Sequence, residues 1–255
     1  MSDALLQTQA LTIRFGGLTA VKDFSMAIAP GELFGLIGPN GAGKTTVFNM
    51  LTGVYLPTSG EILFSGKRLN GRQPAAIARL GVSRTFQNIR LFDELSALEN
   101  VMAGAHMRGR GNLFDALFRT PRHFEEEARQ RQRAYELLQF MGLDQRAGLP
   151  AKSLPYGERR RLEIARALAT QPTLLCLDEP AAGMNPKEKI DLSALIRRIR
   201  DELKITILLI EHDMKLVMGL CERIQVLDYG ETIACGSPRE IQSSEKVVEA
   251  YLGGG

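Results

Sequence analysis

The fold of this 255-residue chain is decided by residues 38–45, GPNGAGKT, which match the pattern G-x-x-x-x-G-K-[ST] in full. The apolar run Leu33–Ile37 before them predicts a buried strand, and Thr45–Leu51 after them predicts a helix. Glycines allow backbone N–H groups to point inward around a phosphate, and the start of a helix adds a positive dipole end. We therefore interpret residues 38–45 as a phosphate loop rather than an ordinary glycine-rich turn.

Two side chains of the phosphate loop have predicted roles toward a nucleotide. We expect Lys44 to reach the β- and γ-phosphates and the hydroxyl of Thr45 to ligate Mg²⁺. ATP and Mg²⁺ are therefore the predicted ligand and cofactor. The residues predicted to line the nucleotide site are Gly38, Pro39, Asn40, Gly41, Ala42, Gly43, Lys44, Thr45 and Thr46.

A second apolar run later in the chain ends in two carboxylates. Thr173–Leu177 predicts a buried strand, and Asp178 and Glu179 follow it directly. Ligand sites of α/β sheets lie at the carboxyl ends of the strands. Neighbouring residues on a strand point to opposite sides, so we expect the two acids to have different roles. Asp178 is predicted to face Mg²⁺ through a coordinating water, and Glu179 to be the general base for the attacking water.

The remaining apolar patterns alternate between strands and helices. Strands are predicted at 11–15, 61–64, 82–86, 205–210, 224–227 and 232–234, and helices at 158–168, 192–199, 213–220 and after Pro238. Between about 96 and 148 the pattern becomes helical, with an apolar stripe at Ala134, Leu137, Leu138 and Met141, while residues 108–122 predict a loop. We therefore predict one α/β domain over 1–255. Its core, at 1–95 and 149–255, has a mainly parallel sheet and an antiparallel part, and about 96–148 form an inserted helical subdomain.

Composition limits the classes of protein that the chain can be. A hydrophobic share of 44% with 24% charged residues excludes disorder as an overall description. A net charge of +3 is too small to indicate nucleic-acid binding. Residues 1–9 lack the positive charge and the apolar core of a secretory signal. The longest uncharged stretch, 45–60, is too short and too polar to cross a bilayer. We expect a cytoplasmic protein that reaches a membrane only through partners.

Further motifs resemble those of ATP-binding cassette (ABC) proteins and occur in that family's order. Ser153–Leu168 resembles the signature segment, usually written LSGGQ and followed by a helix. Gln87 matches the Q-loop glutamine, residues 182–185 match the D-loop, and His212 matches the switch histidine. Phe15 stands where an aromatic residue stacks on adenine. The resemblance covers essentially the whole chain and implies the P-loop NTPase core of ABC ATPases.

The resemblance also implies how the site works. Two cassettes face each other head to tail, and ATP lies between the phosphate loop of one and the signature segment of the other. Gln87 would join Thr45 and Asp178 around Mg²⁺. His212 would act with Glu179 in hydrolysis. The signature residues implied to contact the ATP of the paired cassette are Leu154, Gly157 and Glu158.

Within this family the chain is most similar to the ATP-binding subunit of bacterial branched-chain amino acid importers. Residues 14–18, 178–187 and 209–218 carry that likeness. It implies a second cassette that is a paralogue, two membrane permease subunits and, indirectly, a periplasmic binding protein, with the chain at the cytoplasmic face of the inner membrane. The alternatives are the cassette of a lipopolysaccharide exporter and a soluble, non-transport ABC ATPase. A single cassette without a long heptad run argues against the latter.

The signature segment departs from the family pattern at Pro155 and Tyr156, where Ser and Gly are usual. Proline has neither a side-chain donor nor an N–H group, so it cannot donate to a γ-phosphate. Proline also suits the first turn of the helix that follows. The departure therefore predicts weaker hydrolysis at the site that this segment completes, and it leaves ATP binding at Lys44 unaffected.

Overall fold

The computed structural model describes residues 4–105 and 121–252, which form two compact units. Within these ranges the first unit takes residues 4–84 and 173–252, and the second takes 85–105 and 121–172. The second unit is larger than the subdomain expected at about 96–148. It includes Gln87 and the signature segment, whose helix packs on the other helices of this unit.

The elements follow the alternation that the sequence indicates. The strands are β1 (Leu6–Phe15), β2 (Leu18–Ile28), β3 (Leu33–Ile37), β4 (Ser59–Phe64), β5 (Lys67–Arg68), β6 (Val82–Arg84), β7 (Leu174–Asp178), β8 (Thr206–Ile210), β9 (Arg223–Asp228) and β10 (Glu231–Gly236). The helices are α1 (Lys44–Leu51), α2 (Pro74–Leu80), α3 (Ala97–Ala105), α4 (Pro121–Phe140), α5 (Tyr156–Ala169), α6 (Pro186–Leu203), α7 (Met214–Leu220), α8 (Pro238–Gln242) and α9 (Glu245–Leu252).

The first unit contains two sheets. Six strands pair in the order β10-β9-β3-β8-β7-β6, all parallel except the pair β9–β10. The central strands β3, β7 and β8 are buried along their whole length, as expected for continuous apolar runs covered on both faces. The other four strands form an antiparallel sheet in the order β2-β1-β4-β5. The predicted α/β class, with a mainly parallel sheet and an antiparallel part, is confirmed.

One apolar core connects both sheets of the first unit with α1. Phe24 and Phe64 enter it from the antiparallel sheet, Phe48 from α1, and Phe34 and Leu208 from the parallel sheet. Each fully buried large side chain contributes about 1.5–3 kcal/mol relative to exposure. This core holds α1 against β3, so the loop between them, residues 38–43, has a fixed shape.

The second unit is helical. Of the predicted apolar stripe, Ala134 and Leu138 on α4 are buried, as is Met141 directly after the helix, whereas Leu137 is half-buried. Helices α3 and α5 approach closely at Gly104, where a Cβ would lie 2.2 Å from the carbonyl oxygen of Arg166. Of the loop predicted at 108–122, residues 108–120 lie outside the described residues. Its last two residues, 121 and 122, begin α4 instead. In the ranges described, no helix is long and apolar enough to span a membrane.

Candidate nucleotide site

The phosphate loop is shaped by glycines at two crowded points. Gly38 has a φ of +152°, and a Cβ at this position would lie 2.0 Å from the carbonyl oxygen of Leu227. Gly43 has a φ of +101°, and a Cβ there would lie 2.8 Å from the carbonyl oxygen of Ala20. Side chains are excluded by both the backbone conformation and the space. These two positions of the motif therefore require glycine.

Lys44 is held inside the phosphate loop by the loop's own backbone. Its Nζ donates to the carbonyl oxygens of Gly38 at 2.7 Å and Pro39 at 2.8 Å, and the residue is only 6% exposed. Burial lowers the pKa of Lys44, while the negative charges of Glu179 and Asp178 oppose that shift. The loop therefore keeps a cation whose present partners are two neutral carbonyls, which an incoming phosphate can replace.

Helix α1 begins at Lys44 without a side-chain cap and without an acidic residue in its first turn. The first N–H groups of any helix have no acceptor within the helix. Thr45 is exposed and Thr46 is half-buried, so this end of the helix is open to a ligand. Free backbone donors and the positive dipole end together favour an anion at this point.

Asp178 ends β7 and is buried against a cation. Its Oδ2 accepts a hydrogen bond from Nη2 of Arg84 at 2.7 Å. Arg84 also donates to Oδ1 of Asn49 at 2.6 Å, and its guanidinium lies 5.5 Å from the centre of the Phe48 ring. Arg84 and Asn49 thereby tie the carboxylate to α1, the helix that starts at the phosphate loop.

Glu179 leaves the strand in a left-handed conformation, with a φ of +44°. Its N–H donates to the carbonyl of Ile210 at 2.9 Å, and its carbonyl accepts from the N–H of Ala182 at 3.2 Å. Its side chain is 17% exposed, against 3% for Asp178. The two acids therefore differ in environment because the chain turns at Glu179, and the expected alternation along an extended strand is wrong at this residue. Such strain at a non-glycine residue costs about 1–3 kcal/mol.

His212 lies beside Glu179, as the order of the strands requires. Strand β8 pairs with β7 in a register that sets Ile210 beside Asp178, so the residues after both strands meet at one edge of the sheet. Nδ1 of His212 is 3.6 Å from Oε2 of Glu179, and the ring is 58% exposed. The structure therefore brings together two of the residues predicted to take part in hydrolysis.

Phe15 ends β1 and is 45% exposed. Its ring meets the ring of Tyr55 edge to face, with a centroid distance of 5.3 Å. Phe15 is therefore not a core residue, and its ring has an open face.

The predicted signature and Q-loop residues belong to the second unit and are described there by themselves. Gln87 is exposed, Gly157 is half-buried, and Glu158 forms an ion pair with Arg146 at 3.2 Å. The side chain of Leu154 is buried. Pro155 precedes the first turn of α5 as its N-cap residue, which corrects the expectation that it lies within that turn.

The comparisons with known proteins agree with this geometry. A model of the family described as ABC transporter matches residues 21–182. The chain belongs to the ABC transporter family. A second model, described as branched-chain amino acid ATP-binding cassette transporter, matches residues 231–255 of the cassette.

Individual relatives cover nearly the whole cassette. It is 49% identical to the high-affinity branched-chain amino acid transport ATP-binding protein LivG of Escherichia coli, over 99% of each chain. It is 36% identical to the lipopolysaccharide export system ATP-binding protein LptB of Acidithiobacillus ferridurans, over 98% of this chain and 97% of that one. A crystal structure of a nucleotide-free ATP-binding cassette from an ABC transporter matches with a TM-score of 0.85 and 30% identity, over 97% and 98% of the two chains.

The cassette's oxygen donors fit Mg²⁺. In the first unit Thr45 offers a hydroxyl and Asp178 a carboxylate. Mg²⁺ prefers such hard oxygen ligands, and it is usually bound by one or two protein groups together with substrate phosphates and water. The hydrogen bond from Arg84 keeps the Asp178 carboxylate in place.

Sequence reasoning missed two residues of the cassette's site. Arg84 ends β6, and only the pairing of β6 with β7 brings it to Asp178. Glu211 is 1% exposed; its Oε1 accepts from the N–H of Ala181 at 2.7 Å and its Oε2 from the N–H of His212 at 3.2 Å. Burial raises the pKa of Glu211, while the N–H of Ala181 and the charge of His212 oppose that shift. An acid that follows an apolar strand directly was the available signal for Glu211.

Proposed function

We propose that the cassette hydrolyses ATP and that this hydrolysis drives the uptake of branched-chain amino acids through a membrane permease. The observation that carries hydrolysis is the 3.6 Å separation of Glu179 Oε2 and His212 Nδ1. These two side chains extend from neighbouring parallel strands of the sheet that also leads into the phosphate loop. A carboxylate oriented by a second polar group is a suitable general base for a water molecule.

The phosphate loop supplies binding and charge compensation. Lys44 exchanges the carbonyls of Gly38 and Pro39 for phosphate oxygens, and the N–H groups at the start of α1 donate to the same anion. Thr45, Asp178 and Gln87 would hold Mg²⁺, which when bound offsets negative charge on the phosphates. Arg84 keeps the carboxylate of Asp178 in place.

Glu179 and His212 act on the water that attacks the γ-phosphorus. Glu179 accepts a proton from that water, since its carboxylate is partly open and oriented by the turn at its own backbone. His212 holds the Glu179 carboxylate in orientation. Glu211 fixes the backbone after β7 and after β8, because its carboxylate accepts from the N–H of Ala181 and from the N–H of His212. Phe15 stacks on the adenine through its exposed ring.

The transport assignment is supported by the comparisons. Identity to LivG is 49% over the full length, and identity to LptB is 36%. We therefore place the cassette at the cytoplasmic face of the inner membrane. There it pairs with a second, paralogous cassette on two permease subunits that receive the amino acid from a periplasmic binding protein. We also propose that residues 1–255 form a single ABC ATPase domain.

The hydrolysis proposal is tested with Glu179→Gln in the assembled transporter. The amide keeps the size of the side chain but cannot take a proton, so we expect hydrolysis to fall by about 10²–10⁴ while ATP binding persists. Glu202→Gln, at an exposed ion pair on α6, is the matched control and should leave the rate unchanged. A wild-type rate in Glu179→Gln would place the base elsewhere.

The transport proposal is tested in cells that lack the gene for this chain. Uptake of labelled leucine, isoleucine and valine should be lost, and it should return with the wild-type gene but not with Glu179→Gln. Intact uptake accompanied by a loss of lipopolysaccharide export would assign the cassette to the alternative transporter.

A further inference from the structure

A fully buried ion pair in the second unit has no part in the mechanism proposed above. Nη1 of Arg160 lies 2.7 Å from Oε2 of Glu163 on α5, and the two side chains are 0% and 1% exposed. Removing two charges from water costs several kcal/mol per ion, and mutual attraction offsets that cost only when further hydrogen bonds satisfy the remaining polar atoms. The other partners of this pair therefore indicate its use.

Four of those partners are backbone groups of one short segment, residues 86–90. Arg160 donates from Nη1 to the carbonyl of Phe86 at 2.6 Å and from Nη2 to the carbonyl of Gln87 at 2.7 Å. Glu163 Oε1 accepts from the N–H of Phe86 at 3.3 Å and from the N–H of Arg90 at 3.2 Å. Two side chains of one helix thus hold four backbone groups of the segment around Gln87.

The same guanidinium also reaches the signature segment. Nη2 of Arg160 lies 3.5 Å from Oη of Tyr156, the first residue of α5. Tyr156 occupies the position where glycine is usual in the family, and this contact gives its hydroxyl a partner on the same helix. A continuous set of contacts therefore runs from the backbone of Gln87 through Arg160 to the start of α5.

We propose that Arg160 and Glu163 are positioning residues that clamp residues 86–90 to α5, so that Gln87 and the signature residues move as one body. The proposal rests on the proposed ATP hydrolysis and adds to it a residue-level link between two segments that both serve the nucleotide. Gln87 reaches its working position because its backbone is fixed by charged groups within the unit. A displacement of residues 86–90 by a partner is then transmitted directly to the signature segment.

The first test measures the clamp itself and does not depend on activity. Hydrogen exchange of the full chain is followed at the amides of Phe86 and Arg90 in wild type, Arg160→Met and Arg160→Lys. Met fills the volume without donors, so exchange at both amides should rise about tenfold or more, whereas Lys should restore part of the protection. Arg159→Met is the matched control, because Arg159 is the neighbouring residue and pairs with Asp93 at 2.6 Å. Unchanged exchange in Arg160→Met overturns the clamp.

The second test asks whether the clamp acts through Gln87. ATPase of the assembled transporter is measured for Arg160→Met, Gln87→Ala and the double variant, with nucleotide affinity measured separately. We expect kcat to fall about 10-fold to 100-fold in Arg160→Met, affinity to stay within about twofold, and the double variant to match Gln87→Ala alone. Strictly additive losses, or a normal kcat in Arg160→Met, overturn the proposal.

The two tests also separate this proposal from the proposed function. A wild-type complex that hydrolyses no ATP would contradict the proposed function, and the exchange measurement would still decide on the clamp. If Arg160→Met does not fold, Arg160→Lys replaces it, because lysine keeps the charge and loses the paired donors of the guanidinium. The kcat values of Arg160→Lys, Gln87→Ala and their double variant are then compared in the same way.

Discussion

Lys44 and Glu211 are both buried ionisable residues of the first unit, and burial shifts each pKa toward the neutral form. Their partners differ. The Lys44 amine contacts two loop carbonyls that a phosphate can replace, whereas the Glu211 carboxylate is bound by backbone N–H groups on either side of the site. At the scale of single residues, one buried ionisable group serves ligand binding and the other serves the shape of the site.

Lys44→Ala removes the side-chain cation of the phosphate loop. We expect ATP affinity to fall by about a hundredfold or more, because hydrogen bonds from a charged donor to phosphate are lost at two phosphate groups. Equilibrium binding of a fluorescent ATP analogue measures this change. Lys22→Ala is the control, since Lys22 is an exposed residue paired with Glu231. Equal affinity in Lys44→Ala and wild type would refute the assignment of the loop.

Glu211→Gln should change how stability depends on pH. The folded-state pKa of Glu211 is raised above its ordinary value of 4.5, so the folded chain binds this proton more tightly than the unfolded chain. The associated stability is present below that value and is lost as pH rises through the folded pKa, at about 1.4 kcal/mol per pKa unit. The free energy of unfolding of Glu211→Gln minus that of wild type should therefore increase from pH 5 to pH 8.

Urea denaturation at several pH values measures this difference. A difference that stays constant with pH, or that decreases as pH rises, would show that Glu211 is not stabilised in its protonated form by the fold.

At the scale of elements, the start of α5 explains the departure in the signature segment. Pro155 is the N-cap residue, with φ −55° and ψ 155°, and no side chain caps the helix. Ser, Thr, Asp and Asn are the usual N-caps because their oxygen accepts from the first-turn N–H groups. Pro155 has no such oxygen, so the start of α5 offers backbone N–H groups, such as those of Gly157 and Glu158, but no hydroxyl at position 155.

Pro155→Ser adds a hydroxyl at this point. We expect hydrolysis at the site completed by this segment to rise by about tenfold, the low end of what one hydrogen bond to a charged group contributes. Steady-state ATPase of the assembled transporter measures it, with the phosphate-loop lysine of the paralogous cassette intact. Pro238→Ser is the control, because Pro238 follows the N-cap Ser237 at the start of α8. An unchanged or lower rate in a normally assembled variant would reduce Pro155 to a residue that shapes the helix start.

The elements that sequence patterns missed are those with interrupted periodicity. Strand β2, Leu18–Ile28, pairs with β1 through several register shifts, and its alternation of buried and exposed residues is regular only over Phe24–Ile28. Helix α2, Pro74–Leu80, is seven residues long and buries only Ile77, which leaves no repeating apolar stripe. The continuous apolar runs of β3, β7 and β8 were found because full burial on both faces requires them.

At the scale of the whole molecule, the proposed pairing predicts an ATP-dependent complex of two cassettes. We expect Glu179→Gln to bind ATP without hydrolysing it, so ATP should hold this variant and the proposed paralogous cassette together. Size-exclusion chromatography of the two chains should show a heterodimer with ATP and separate chains with ADP. The double variant Glu179→Gln, Lys44→Ala should form a smaller fraction of heterodimer. A heterodimer fraction that is the same with ATP and with ADP would contradict the pairing.

The sequence by itself determined the phosphate loop, the start of α1 to within one residue, and the acids and histidine at the ends of β7 and β8, because each depends on residue type and local pattern. The tertiary structure decided the partners of those residues. Arg84 reaches Asp178 across 94 positions, Ala181 reaches Glu211 across 30, and Arg160 reaches Phe86 across 74. Such contacts follow from strand order and helix packing, and no local propensity encodes which strand lies beside which.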